Sequence, residues 1–287
     1  MKWLSLLPGL VLAGLIALPA TAESEAPLSE LTTAWREDPI WHDGKAEIAV
    51  YEATRVIYGQ PRTYDARLMT NFEHASPKTF TKAPDGKGRA VFKHHLREDI
   101  PTRAYTYHYS TMAYVGTEDL KSLKIDMGSM EDCGATFKQI VNHAGELTWR
   151  QFSYFPNEGR RAGSFEPSAR LVFHDALTLV LRGFPFKDPQ DMTIEVLPDQ
   201  TDTHLTPVQP VAMEVTYGGV STLDLPAGRI RAHQLTVTPA GETEAAGQYW
   251  FAADGSAPWL HALVQYQDGD GTRYRLKSLT REAYWRK

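Results

Sequence analysis

Around residues 103–115 the chain alternates strictly, with Tyr105, Tyr107 and Tyr109 on one parity and Thr106, His108 and Ser110 on the other. A period of two sends successive side chains to opposite faces of an extended strand, a pattern no helix accommodates. The same period marks residues 46–56, 62–72, 89–97, 120–127, 135–142 and 146–155. It returns in 192–197, 211–217, 229–239, 247–253, 259–267 and 272–285. Turn residues separate these runs: Tyr58-Gly59-Gln60-Pro61, Ala144-Gly145 and Asp268-Gly269-Asp270-Gly271. Such dipeptides tolerate positive φ and close tight hairpins.

Two stretches break the rhythm. Ser29 is placed to cap a short helix running through Ala34 and Trp35. Residues 168–182 space Leu171, Val172, Leu177, Leu179, Val180 and Leu181 in partly helical fashion, with Gly183 after the end. That spacing predicts a helix packed on a sheet. Pro167 and Pro185 bracket it, which divides the chain into residues 1–22, an N-terminal β-rich half at 23–166, and a C-terminal helix plus β-meander at 167–287. A sheet of this many strands accumulates twist and must cover its apolar face. The expected fold is mainly β: a long, curved, all-antiparallel sheet, an open barrel or clam, wrapped around one or two helices.

The first 22 residues read as a secretory leader. Lys2 supplies a positive start, residues 4–18 are largely apolar, and Ala20-Thr21-Ala22 forms a small-x-small cleavage site before Glu23. The apolar run is too short for a stable membrane span. The expectation is a periplasmic or secreted protein cleaved after Ala22. With 35 acidic and 30 basic residues, the formal charge of −5 argues against nucleic acid as a partner. Cys133 is the only cysteine, so no internal disulfide forms. No base motif accompanies it, and the expectation is a buried, inert thiol.

No motif announces chemistry. The 268–271 run lacks the further oxygen ligands and closing Glu of a calcium loop. His94, His95 and His108 lie on neighbouring strands, but adjacent strand residues point to opposite faces, and no zinc spacing surrounds them. There is no Gly-x-Ser-x-Gly and no phosphate-cradling glycine loop. No catalytic residue, metal or cofactor is expected. Glu47 has two readings: a partner for Arg62 across a hairpin, or, with Arg62 and Glu73, a polar cluster at the mouth of a cavity. The candidate ligand-binding set is Glu47, Tyr51, Arg62, Glu73, Tyr107 and Glu131.

Trp41, Asp43-Gly44, Ala46-Glu47, Tyr51, Tyr58-Gly59, Arg62, Glu131 and Cys133-Gly134 resemble a family of uncharacterised secreted bacterial proteins. Some members carry the label septum formation inhibitor Maf. The cytoplasmic nucleotide pyrophosphatases of that name have a Ser-rich N-terminal motif that this chain lacks. The second half, through Leu181-Arg182-Gly183, Leu225-Pro226-Ala227-Gly228 and Tyr249-Trp250-Phe251, resembles an exported domain of unknown function. That domain is similar to curved-sheet carriers of the lipoprotein-sorting type, which implies an apolar cavity between sheet and helix. The leading functional expectation is a non-enzymatic envelope protein that binds or carries a hydrophobic or amphiphilic ligand such as a lipid. Alternatives are an envelope hydrolase using acidic residues or Cys133, and a structural or assembly protein.

Overall fold

Ala49, Tyr51 and Ala53 share one face of strand β1 (Ala46–Ile57), and all three are buried. This is the period-two pattern made physical, with one side of the strand packed and the other facing outward. The computed structural model describes residues 28, 30–84, 86–255 and 260–286. The expected leader and the Ser29 cap lie outside these residues.

From β1 the chain runs as a meander through β2 (Gln60–Ala75), β3 (Arg89–Pro101), β4 (Thr106–Gly116), β5 (Ser122–Glu131), β6 (Gly134–His143), β7 (Glu146–Ser153) and β8 (Gly159–Phe165). A short β9 (Leu171–Phe173) leads into one turn of helix α1 (Leu177–Val180), flanked by 3-10 turns at His174–Ala176 and Leu181–Gly183. The meander resumes as β10 (Met192–Leu197), β11 (Val211–Leu225), β12 (Gly228–Pro239), β13 (Gly247–Ala252), β14 (Leu263–Asp268) and β15 (Arg273–Glu282).

All fifteen strands form one sheet, in which β1 pairs with β15 and the edges are β8 and β9. The sheet is therefore not a closed barrel. Its two halves are contiguous blocks, strands β1–β8 on one side of the β1–β15 seam and β9–β15 on the other. Every pairing is antiparallel except β9 with β10, which is parallel. The expected all-antiparallel sheet is thus mixed, because β9 returns to β10 through the interior crossover rather than through a hairpin.

Turn chemistry sets the register. Tyr58 and Gly59, at φ 53° and 67°, form the two-residue loop between β1 and β2. Two positive φ values in such a loop match the right-handed twist of the flanking strands. The loop places Glu47 opposite Thr70 and Arg62 opposite Arg55, so the expected Glu47–Arg62 pair does not form.

One apolar core draws on both halves of the sheet, including Phe92, Tyr109, Ile125 and Ile140 from the first and Val215, Leu235, Tyr249 and Phe251 from the second. A flat sheet cannot bury one shared core from such distant strands, so it curls. Two crossing segments fill the concavity. The first holds α1, whose Leu177, Leu179 and Val180 are at most 1% exposed. Burying each such side chain stabilises the fold by roughly 1.5–3 kcal/mol. The expected helix over 168–182 is here a strand, a single α turn and two 3-10 turns. Its apolar residues are buried all round, and that removes the one-sided periodicity a longer helix requires.

The second crossing segment follows β10. Thr136 and Lys138 of β6 donate to the carbonyls of Thr203 and Gln200, and Gln151 of β7 donates to Thr206 O. The inner face of β5–β7 is polar there because it meets bare backbone, whose carbonyls need donors. The helix expected through Ala34 and Trp35 is a turn, held by Arg36 N and Glu37 N donating to Thr33 O. Its Trp35 is fully buried and stacks on Phe92 at 5.3 Å. Among the described residues, no helix is long and apolar enough to cross a membrane.

Candidate ligand-binding site

Arg55 and Glu98 sit on the core parity of β1 and β3, where apolar residues are the rule. Glu98 is fully buried and collects donors from Tyr64 at 2.5 Å, Tyr274 at 2.7 Å and Arg55 Nε at 3.1 Å. Burial works to discharge Arg55, but the Glu98 carboxylate beside it prevails and holds the guanidinium charged. Arg55 Nη1 also donates to Thr201 O at 3.3 Å, which ties the strand to the crossing segment.

Next to this pair lie His174, Asp175 and Asp199, with one ligand atom from each within 4.8 Å of the others. Burial and the neighbouring Asp199 push the Asp175 carboxyl up to about 7. Burial pushes Asp199 the same way, but its hydrogen bond and proximity to His174, with Arg55 beyond, hold it well below the usual carboxylate range. His174 answers in kind: burial opposes its charge, yet Asp199 raises it. Asp175 accepts from Thr201 Oγ1 at 2.8 Å and from Gln200 N at 3.2 Å, and Asp199 accepts from Thr201 N at 2.8 Å. These donors leave the two carboxylates already engaged. Of the described residues, this trio is the set with the chemistry to hold a metal.

The space beside the trio is about 50 Å³, walled by Tyr51, Tyr249, Tyr266, Tyr274 and leucines. It accommodates a few water molecules. A folded saccharide, peptide or acyl chain is far larger. Burial pushes all four phenols up, so they serve as neutral donors and packing surface.

A larger opening of about 600 Å³ lies between β15, the β11–β12 hairpin and the chain leading into β14. Ile230, Leu260, Val264, Leu276 and Leu279 line it, with Arg229 and Arg231 at its rim. Arg231 pairs with Asp254 at 3.1 Å and Arg229 with Asp224 at 3.4 Å, all four side chains being more than half exposed. Exposed pairs of this kind contribute little and exchange partners readily. Glu47 also borders the opening. It is buried and its carboxylate is neutralised by both terminal nitrogens of Arg182.

The six candidate residues do not converge on one place. Tyr51 lines the small interior cavity and donates to Leu263 O at 3.0 Å. Glu47 borders the apolar opening, and Arg62 lies opposite Arg55 close to the turn of the β1–β2 hairpin. Glu73 belongs to the other face of the sheet, 3.4 Å from Lys93 and 3.6 Å from Lys82. Tyr107 and Glu131 do come together. Burial, then Tyr58, Tyr105 and Glu131, push the Tyr107 phenol up, and Glu131 accepts from Thr203 at 2.7 Å.

Cys133 is exposed, contrary to the expectation of burial. It occupies the two-residue turn between Glu131 and Gly134, beyond the last β5–β6 pair, next to the Tyr105 hydroxyl. The three histidines scatter. His94 is buried between Thr70 and Thr178, His95 meets Ser110 on the opposite face, and His108 meets Asp99.

The interior network escaped the sequence reading, although part of its signal was present. Arg55 follows Tyr51 and Ala53 in phase, and Glu98 falls between Leu96 and Ile100 in phase, so both charges sit where alternation demands carbon. His174, Asp175 and Asp199 come from irregular segments, and no periodicity reports on those. Comparison with protein-family models, curated proteins and solved structures finds no match, so the reading of this site rests on its own geometry.

Proposed function

We propose that this is an exported, non-enzymatic protein of the cell envelope that binds an amphiphile carrying an anionic head group. The observation that carries the reading is the opening of about 600 Å³ with an aliphatic floor and two arginines on its rim. Ligand sites of this kind span roughly 300–1,000 Å³, mostly apolar with a few placed polar groups. An aliphatic tail packs against Leu276, Leu279 and Val264. The head group exchanges for the exposed carboxylates now paired with Arg229 and Arg231. The leader supports export, and the resemblance to lipoprotein-sorting-type carriers supports the same class of cargo. The ligand lies at the mouth of the curled sheet rather than deep inside it, because side chains and the two crossing segments occupy the interior.

Titration with dansyl-undecanoate, followed by dansyl emission, tests the reading. Saturable binding is expected, weakened about tenfold by Arg231→Glu and more by Leu276→Glu. Native mass spectrometry of protein recovered from its own periplasm is expected to reveal a bound lipid. A clean apo mass together with non-saturable emission overturns the proposal.

A further inference from the structure

A second cleft is lined by a different set of residues. It measures about 590 Å³ and lies between the Trp41–Gly44 turn, the ends of β2 and β3, and the Tyr284–Arg286 segment that follows β15. It shares no residue with the apolar opening. Its chemistry also differs, being polar, cationic and aromatic where the other is aliphatic.

The charge in the cleft is unbalanced. Glu73 presents one carboxylate, its side chain 7% exposed, against Lys93 at 3.4 Å and Lys82 at 3.6 Å. Arg286 lines the same cleft, so three cations face one anion. Neither lysine makes a short contact with Glu73, and Lys82 is 69% exposed, which leaves ammonium donors open to a second carboxylate. Hydrogen bonding is unbalanced as well. Asn71 is only 5% exposed and lies opposite Lys93 in the sheet. Its Nδ2 donates to Glu73 at 3.3 Å, but its Oδ1 has no partner. A buried acceptor without a donor is uncommon and marks a place where a partner is missing. A hydroxyl group supplies that donor.

The third feature is aromatic. Tyr284 and Trp285 are 42% and 49% exposed, and their rings meet edge-to-face at 5.0 Å. A half-exposed indole at the lip of a polar cleft offers a flat apolar face next to hydrogen-bonding groups. The C–H face of a pyranose ring matches that surface, and its hydroxyls match Asn71 and Glu73. From the cations, the buried unpartnered acceptor and the exposed indole together, we infer that this cleft binds an acidic saccharide, a sugar ring bearing a carboxylate. The carboxylate pairs with Lys82, Lys93 and Arg286, and the ring stacks on Trp285.

Isothermal titration of the purified protein with D-glucuronate, D-glucose, acetate and AMP tests the inference. Glucuronate is expected to bind saturably at millimolar concentration, with glucose at least about tenfold weaker and acetate without measurable binding. Trp285→Ala is expected to weaken glucuronate about tenfold, and Lys93→Met to erase the preference for glucuronate over glucose. Both variants alter partly or half-exposed side chains, and an unchanged melting temperature checks that they fold. Arg231→Glu, in the apolar opening, is expected to leave glucuronate binding intact, which separates this inference from the amphiphile reading. Absence of saturable glucuronate binding overturns the inference. So does equal binding by Trp285→Ala, or tighter binding of acetate or AMP than of glucuronate.

Discussion

Arg182, on the 3-10 turn after α1, grips Glu47 of β1 with both terminal nitrogens, and each side chain is at most 6% exposed. The pair joins the interior crossing segment to the strand that anchors the seam between the two halves of the sheet. Trp35 and Trp41 lie within 6.0 Å of the same guanidinium, so its faces rest on aromatic rings. Two charges removed from water in this way repay their desolvation only while both are present.

That condition yields the first prediction. Glu47→Gln alone leaves Arg182 buried and unpaired, and is expected to cost about 3–5 kcal/mol of stability. The double variant Glu47→Leu with Arg182→Met removes both charges and is expected to recover a large part of that loss. Urea denaturation of Glu47→Leu, Arg182→Met and the double variant measures the coupling. A double variant as unstable as the sum of the singles would show that the two residues act independently.

The buried α turn gives a second prediction. Leu177 is 1% exposed, so Leu177→Ala is expected to cost about 2–5 kcal/mol, as for other large-to-small core changes. Asp270→Ala, in the exposed β14–β15 turn, is expected to cost at most about 0.5 kcal/mol. Chemical denaturation compares them directly, and equal small losses would place the crossing segment outside the core.

The contrast between those two sites shows where the sequence was legible. Alternation located most of the strands, and Tyr58-Gly59 and Ala144-Gly145 located their hairpins. It failed at β8, where Gly159, Arg160, Arg161, Ala162, Gly163 and Ser164 are all exposed. An edge strand with no buried face carries no apolar period to read. It failed in the opposite sense at β9, where Leu171, Val172 and Phe173 are all buried and resemble a helix segment equally well. Of the candidate residues, only Tyr107 and Glu131 meet, because parity assigns a residue to a face but says nothing about which distant strands the curl brings together.

Cys133 supplies a third prediction. Its thiol stands in an exposed turn, so a thiol reagent is expected to label the native protein stoichiometrically without unfolding it. Cys133→Ser is expected to change stability by no more than about 0.5 kcal/mol, as for surface positions generally. Labelling only in denaturant would mean that the turn is covered in solution.

The interior acids predict a pH signature whose sign follows from their environment. Asp175, pushed up to about 7 by burial and by Asp199, is easier to protonate in the folded protein than in the unfolded chain. Its contribution to stability is therefore full below the ordinary carboxylate range near pH ~4, and is lost as pH rises toward 7. His174, whose folded value is raised by Asp199, acts in the same direction: its contribution is present below about 6.5 and lost as pH climbs above that. Asp199 has the opposite sign, stabilising above pH ~4 and losing that contribution as pH falls through its depressed folded range. Asp268 adds a further negative charge facing His174, and Arg55 a positive one facing Asp199. Asp175→Asn removes the titrating group while keeping its shape and its acceptor for Thr201. Its stability relative to the parent protein is expected to improve steadily as pH increases from about 4 to about 8. Urea midpoints measured across that range for both proteins give the difference, and a difference that stays constant with pH would mean that Asp175 titrates as an ordinary carboxylate.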